Sequence, residues 1–358
     1  MKRIILIFCL GIVLCASAFA TYDLFGGSLS FSWFDGESLY PEAAAYPFSS
    51  SSALHILLLQ EGQPRTVKYG GTGSGEYDDM SIYHSGQYAD ETMYLQLKTG
   101  LNIGFLRFSY KHIAETELGF QGSLNTVFQG FGGADNLGFD GVFFFGLNTR
   151  IFERVSMRVG YRHYSGHYGD ETLLKLSASA GYPIEYTRDN NLLFGISVRP
   201  ISWARMYADA SLPMTNTWMH PAIHIPSWVI KRTNGQPLHT VEAGNEGIPT
   251  TAFDESYKAW ILNFGAEFRY PVRKLGSLFA GIDVISHQDG QTLHRSGGYD
   301  PGNPWEFEYT VAAGIEFEEV SGLGDAKLLV QYHDGRFPLL NFFYHRSSYF
   351  GVGFFLST

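Results

Sequence analysis

Thiols are nearly missing from this chain. Its 358 residues hold two cysteines, Cys9 and Cys15, both near the start. Lys2 and Arg3 precede an apolar run from Ile4 to Leu14, and Ala18-Phe19-Ala20 supplies an A-x-A site. Residues 1–20 therefore read as a signal peptide, cut after Ala20. The apolar run is too short to span a bilayer, and Leu14 is too bulky for a good lipidation signal at Cys15. The mature chain would carry no thiol. That excludes a disulfide framework or a thiolate metal site and suits an oxidising compartment.

Charge is scarce as well. Charged residues make up 17% of the chain, against roughly 25% in soluble domains. The formal charge is −10, and removing Lys2 and Arg3 makes it −12, so no basic footprint for nucleic acid exists. Long hydrophobic runs are absent too. No stretch of the mature chain reaches the ~18 apolar residues of a transmembrane helix.

What remains is aromatic and glycine-rich, with 29 Phe, 22 Tyr and 41 Gly. A barrel facing lipid needs apolar and aromatic side chains outside. Alternation with polar residues inside would account for a mean hydropathy of only −0.07. From Trp305 to Glu318, Trp305, Phe307, Tyr309, Val311, Ala313, Ile315 and Phe317 form one face. Glu306, Glu308, Thr310, Glu316 and Glu318 form the other, which should stay wet. Val155, Met157, Val159 and Tyr161 likewise oppose Arg154, Ser156, Arg158 and Arg162, and Phe120, Leu124 and Phe128 oppose Gln121, Ser123, Asn125 and Gln129. Leu278, Ala280, Ile282 and Val284 oppose Asp283.

Thirteen candidate strands follow from residue 92 onward, and short neighbours can merge. The expected fold is an all-β antiparallel transmembrane barrel of about 12 strands, with 10 or 14 as neighbours. A soluble β-sandwich also alternates, but fits the exposed Phe and Tyr less well. Residues 21–91 read as a loop-rich segment leading into a barrel over 92–358, with a long loop at 213–257. Such a loop is functional or disordered, and barrels keep long loops outside the cell. Gly351, Phe354 and Leu356 resemble the signal that outer-membrane assembly machinery reads on a closing strand, although the chain ends Ser357-Thr358.

One block is more specific: Arg158-Val-Gly-Tyr-Arg162-His163-Tyr-Ser165-Gly-His167-Tyr-Gly169-Asp170-Glu171. It resembles the H-x-S-S-H-x-G-D-E run of a family of uncharacterised bacterial proteins, with Gly166 in place of the second serine. Other segments follow in the family's order, among them Arg205-Met-Tyr207 and Tyr332-His-Asp-Gly335-Arg. The resemblance spans roughly residues 40–358, implies an outer-membrane barrel and brings no established activity.

The strand phase puts His163, Ser165 and His167 on the apolar outer face. A His and a Ser two residues apart are the minimum for a base-activated nucleophile. The pair is similar to the His-x-Ser of outer-membrane phospholipase A and lipid A deacylase, although Gly166-His167 replaces the Asn-Gly that follows in the phospholipase. In that reading Ser165 attacks, His163 is the base, Asp170 or Glu171 orients the imidazole, and the Gly166 N–H serves an oxyanion hole. In the bland reading Gly166 to Gly169 form a turn, and the histidines bond backbone while Asp170 and Glu171 stay solvated or pair with Arg162.

Three functions follow. The first is a pore or transport barrel with Arg154, Arg158, Arg162, Gln121, Glu306 and Glu308 lining the lumen. The second is a membrane-embedded acyl hydrolase, and the third a structural or adhesive surface barrel. Outer-membrane lipid is the expected partner, with no cofactor and no metal. His220 and His224 have ligand spacing only on a helix, which Pro221 and Pro226 oppose.

Overall fold

The computed structural model describes residues 21–24, 26–30, 38–61, 66–70, 77–81, 92–111, 113–130, 135–169, 172, 184–214, 219–223, 260–272, 276–288, 305–317, 325–342 and 346–357. Residues 1–20, Asp170, Glu171, His224, 173–182, 289–304 and most of 213–257 lie outside them.

Twelve antiparallel strands form the wall: β1 (Ser52–Glu61), β2 (Met93–Tyr110), β3 (Ala114–Gln129), β4 (Asp135–Ile151), β5 (Val155–Tyr168) and β6 (Ile184–Ile201), then β7 (Ala204–Pro213), β8 (Ile261–Val272), β9 (Gly276–His287), β10 (Glu306–Phe317), β11 (Asp325–Arg336) and β12 (Arg346–Ser357). Each pairs with the next, and β12 returns to β1, with Leu356 opposite Ser52 and Tyr349 opposite Leu59. Closure satisfies every strand edge, which a sheet in lipid requires. Residues 92–99 and 101–111, which the sequence offers as two short neighbouring candidates, form the single strand β2. A hairpin of Thr21–Leu24 and Gly27–Ser30 adds to one end of β2.

Strand β1 departs from the sequence expectation, which left it in the 21–91 loop segment. Leu54, Ile56 and Leu58 point outward, but Leu57 and Leu59 point inward and are buried. Polarity does not alternate here, so the period-two signal is silent. The tight turns gather at one end. Between β4 and β5, Phe152 and Glu153 both have positive φ (50° and 59°), and the Arg154 N–H donates to the Ile151 carbonyl at 3.1 Å. That is the geometry of a type I′ hairpin turn, adopted here without glycine.

The outer face is apolar around the ring. Leu124 on β3, Phe264 on β8 and Val330 on β11 are each about half exposed, at 50%, 47% and 55%. So continuous an apolar surface is that of a wall meeting hydrocarbon. The Phe143-Phe144-Phe145 run alternates as expected, with Phe144 buried inside and Phe145 exposed outside.

Among the described residues the inside is polar and largely filled. Residues 38–51 enter the lumen and are held from all sides. Glu117 accepts the Leu39 N–H at 2.7 Å, Glu267 accepts the Ala44 N–H at 2.7 Å, and Arg205 donates to the Pro41 carbonyl at 2.7 Å. The Lys98 ammonium donates to the Pro47 carbonyl at 3.0 Å, and Arg162 donates to the Tyr46 hydroxyl. At the other end residues 337–342 fold inward. There Asp140 accepts the Leu340 N–H at 3.0 Å and Asn125 donates to the Pro338 carbonyl at 2.8 Å. Lumenal cavities of about 30, 20 and 70 Å³ remain, room for a water or two each.

Candidate active site on the outer wall

Five of the lumen residues named from sequence, Gln121, Arg158, Arg162, Glu306 and Glu308, point inward and are buried among plug and wall. Arg158 forks onto Asp209 at 3.0 and 2.8 Å and donates to Gln121 Oε1 at 2.7 Å. Glu308 lies 2.5 Å from His287 Nε2 and accepts the Arg336 N–H at 2.9 Å, while Glu306 lies 3.4 Å from both Arg336 and Arg346. The Arg162 guanidinium sits over the Tyr164 ring at 4.7 Å. Arg154 is different: it is exposed, in the turn at the barrel's end. The carboxylates of β10, expected to face water, instead find cationic and imidazole partners, because an unpaired charge in this packed interior would be costly.

His163 and Ser165 lie on the other side of β5. The strand continues through Tyr168, so the turn expected at Gly166 to Gly169 is not there. Its phase holds throughout. Arg162, Tyr164, Gly166 and Tyr168 are buried inside, Tyr161 and His167 are exposed outside, and His163 and Ser165 are half-buried on the outer face. Gly166 is an inward packing position. A Cβ there would lie 2.5 Å from Asn341 Oδ1 of the inward-folded 337–342 segment, which accounts for glycine at this site. Gly169 similarly passes close to the Asn136 carbonyl.

Strand β6 supplies what the sequence reading missed. Asn190 is the cross-strand partner of His163, and its Oδ1 lies 2.7 Å from His163 Nδ1. The Tyr161 hydroxyl donates to the same oxygen at 2.5 Å. An amide oxygen only accepts, so Nδ1 carries the proton and Nε2 is left with a free lone pair. This is the tautomer a general base requires. Asp170 and Glu171, expected to orient the imidazole, lie outside the described residues, and Asn190 fills that position.

Ser165 faces Gly141 across the β4 ladder. A Cβ at Gly141 would stand 3.2 Å from Ser165 Oγ and 2.9 Å from the Phe143 ring, so glycine keeps the hydroxyl uncrowded. Phe143 is the β4 partner of His163, and Phe139 stacks on His167 with centroids 4.5 Å apart. Ser165 and His163 are not hydrogen-bonded to each other, as is common for a nucleophile and base without substrate. Of the other histidine pair, His224 lies outside the described residues. His220 lies in a short strand, Met219–Ile223, paired with β6.

Depth on the wall follows from the strand. From Val155 to Ser165 the chain advances roughly 33 Å at ~3.3 Å per residue. A tilt near 40° turns this into about 25 Å of height, the height of a barrel's apolar band. Ser165 thus stands at the rim of the band farthest from the tight turns.

No family profile matches this chain, and no curated protein sequence does. Among solved structures, the chain is similar to the outer membrane phospholipase A of Escherichia coli, at 11% identity and TM-score 0.47, covering 86% of this chain and 93% of that one. It is also similar to the Salmonella typhi outer membrane phospholipase dimer with bound calcium (10% identity, TM-score 0.47, 89% and 95% covered) and to a Pseudomonas aeruginosa FadL homologue (10%, 0.37, 90% and 96%).

Proposed function

We propose that this barrel is a membrane-embedded serine acyl hydrolase of the outer membrane, acting on acyl esters of the surrounding lipid. The carrying observation is the contact of 2.7 Å between His163 Nδ1 and Asn190 Oδ1, on the same outer face as Ser165. Ser165 is the nucleophile, His163 the general base and Asn190 the orienting acceptor, an arrangement defined by roles and not by sequence order.

In the reaction Ser165 Oγ attacks the ester carbonyl carbon while His163 Nε2 takes its proton. Collapse of the tetrahedral intermediate breaks the bond to the lipid alcohol, which leaves with the proton from His163. Water, deprotonated by His163, then attacks the acyl-serine, and the fatty acid is released as His163 returns the proton to Ser165 Oγ. The reacting serine stands at the rim of the apolar band, at the depth of lipid esters. Export through the 1–20 signal, and recognition of the closing strand by assembly machinery, belong to the same proposal. The family block then marks the catalytic strand.

The pore reading has the filled lumen against it. Treatment of the refolded barrel with a lipophilic fluorophosphonate tests the assignment. The expected result is a single adduct on Ser165, lost in His163→Ala. A barrel left unlabelled, or labelled elsewhere, refutes it.

A further inference from the structure

Asn190 carries a weakness that an aspartate would not. A carboxylate offers an acceptor whichever way it turns. An amide turned over presents its NH₂ group to the imidazole. In that orientation His163 Nδ1 must accept, the proton moves to Nε2, and the imidazole can no longer take a proton from Ser165. Something must hold the amide oxygen toward His163.

We propose that Tyr161 is the positioning residue that does this. Its hydroxyl donates to Asn190 Oδ1 at 2.5 Å, the same oxygen that lies 2.7 Å from His163 Nδ1. Two donors converge on one atom, so a turned amide would have to donate to the phenol oxygen, a poorer acceptor than it is a donor, as well as to the imidazole. Tyr161 precedes His163 by two residues on the outer face, and their rings lie nearly parallel (13°, centroids 6.5 Å apart). The two rings thus lie side by side on the wall, with both polar tips meeting Asn190. Tyr161 is 43% exposed on a lipid-facing wall, where a hydroxyl without a partner is costly, and Asn190 satisfies it. A tyrosine of the interfacial girdle would need only water at its tip. The proposal rests on the hydrolase reading for its consequence, but the tautomer it dictates can be read without turnover.

The test is nitrogen-15 NMR of His163 in the refolded, micelle-bound barrel. The expected spectrum is the Nδ1–H tautomer in the parent and a shift of population toward Nε2–H in Tyr161→Phe. In Asn190→Asp, where either oxygen accepts, Tyr161→Phe should move nothing. An unchanged tautomer in Tyr161→Phe overturns the proposal, and so does an equal shift in both backgrounds. The kinetic counterpart is a roughly tenfold fall in kcat, the worth of one neutral hydrogen bond, with KM unchanged and no further fall on adding Tyr161→Phe to Asn190→Asp. Loss of Ser165-dependent hydrolysis from the parent itself would instead refute the hydrolase reading, and the tautomer result would still stand or fall alone.

Discussion

At the residue scale, the site was half legible. The i, i+2 spacing and the strand phase are enough to put His163 and Ser165 on one outer face, because alternation is a local property. Asn190 was not legible, since it lies 27 residues from His163 and reaches it only through the register of β5 on β6. A long connection joins those strands, so no tight turn fixes that register in the sequence. A signal did exist: Asn190 continues the outward row Leu192, Phe194 and Ile196 and is the polar member of it. His163→Ala should lower acyl hydrolysis by about 10²- to 10⁴-fold, the usual contribution of a general base. The barrel should still fold, because the replaced ring faces outward. Gly141→Val should also suppress hydrolysis, since its Cβ alone stands 3.2 Å from Ser165 Oγ. Full activity in that variant would show that lipid does not approach over β4.

At the element scale, strands with polar inward faces were readable and β1 was not. Leu57 and Leu59 pack inside beside His55, so polarity alternates too little along this strand to mark its inward face. The plug at 38–51 was equally silent, because its anchors are backbone N–H and carbonyl groups gripped by side chains from distant strands. Those anchors give predictions. Arg158 forks onto Asp209 and also covers the Tyr40 ring at 4.2 Å. Arg158→Ala should destabilise the barrel by about 3–5 kcal/mol, the cost of leaving a buried carboxylate unpaired. The temperature at which the folded band is lost in heat-modifiable gel migration reads this directly. Asp140→Ala removes both acceptors of the Leu340 N–H, at 3.0 and 3.1 Å. It should cost about 1–3 kcal/mol and expose the 337–342 segment to protease. Unaltered resistance would mean that the Asn125–Pro338 hydrogen bond and the packing on Tyr94 and Tyr168 hold the segment without Asp140.

At the scale of the molecule, composition and alternation suffice for a closed barrel of 12 strands, and the apolar wall accounts for the scarcity of charge. What the alternation cannot show is whether the inside is open. Inward carboxylates look the same in a water-filled pore and in a packed ionic interior. The difference lies in what else enters the lumen, and here a segment ahead of β1 does. In planar bilayers the intact chain should therefore pass no steady current, while deletion of 38–51 should open a conducting path. Steady conductance from the intact chain would contradict the filled lumen.

The central claim is that chemistry occurs on the outside of this wall and not through it. Its most direct measurement is fatty-acid release from phospholipid presented in mixed micelles, by the refolded chain and by Ser165→Ala at matched folded concentration. The account predicts release by the parent and background alone from the variant. Equal release from both, or none from either, would contradict it.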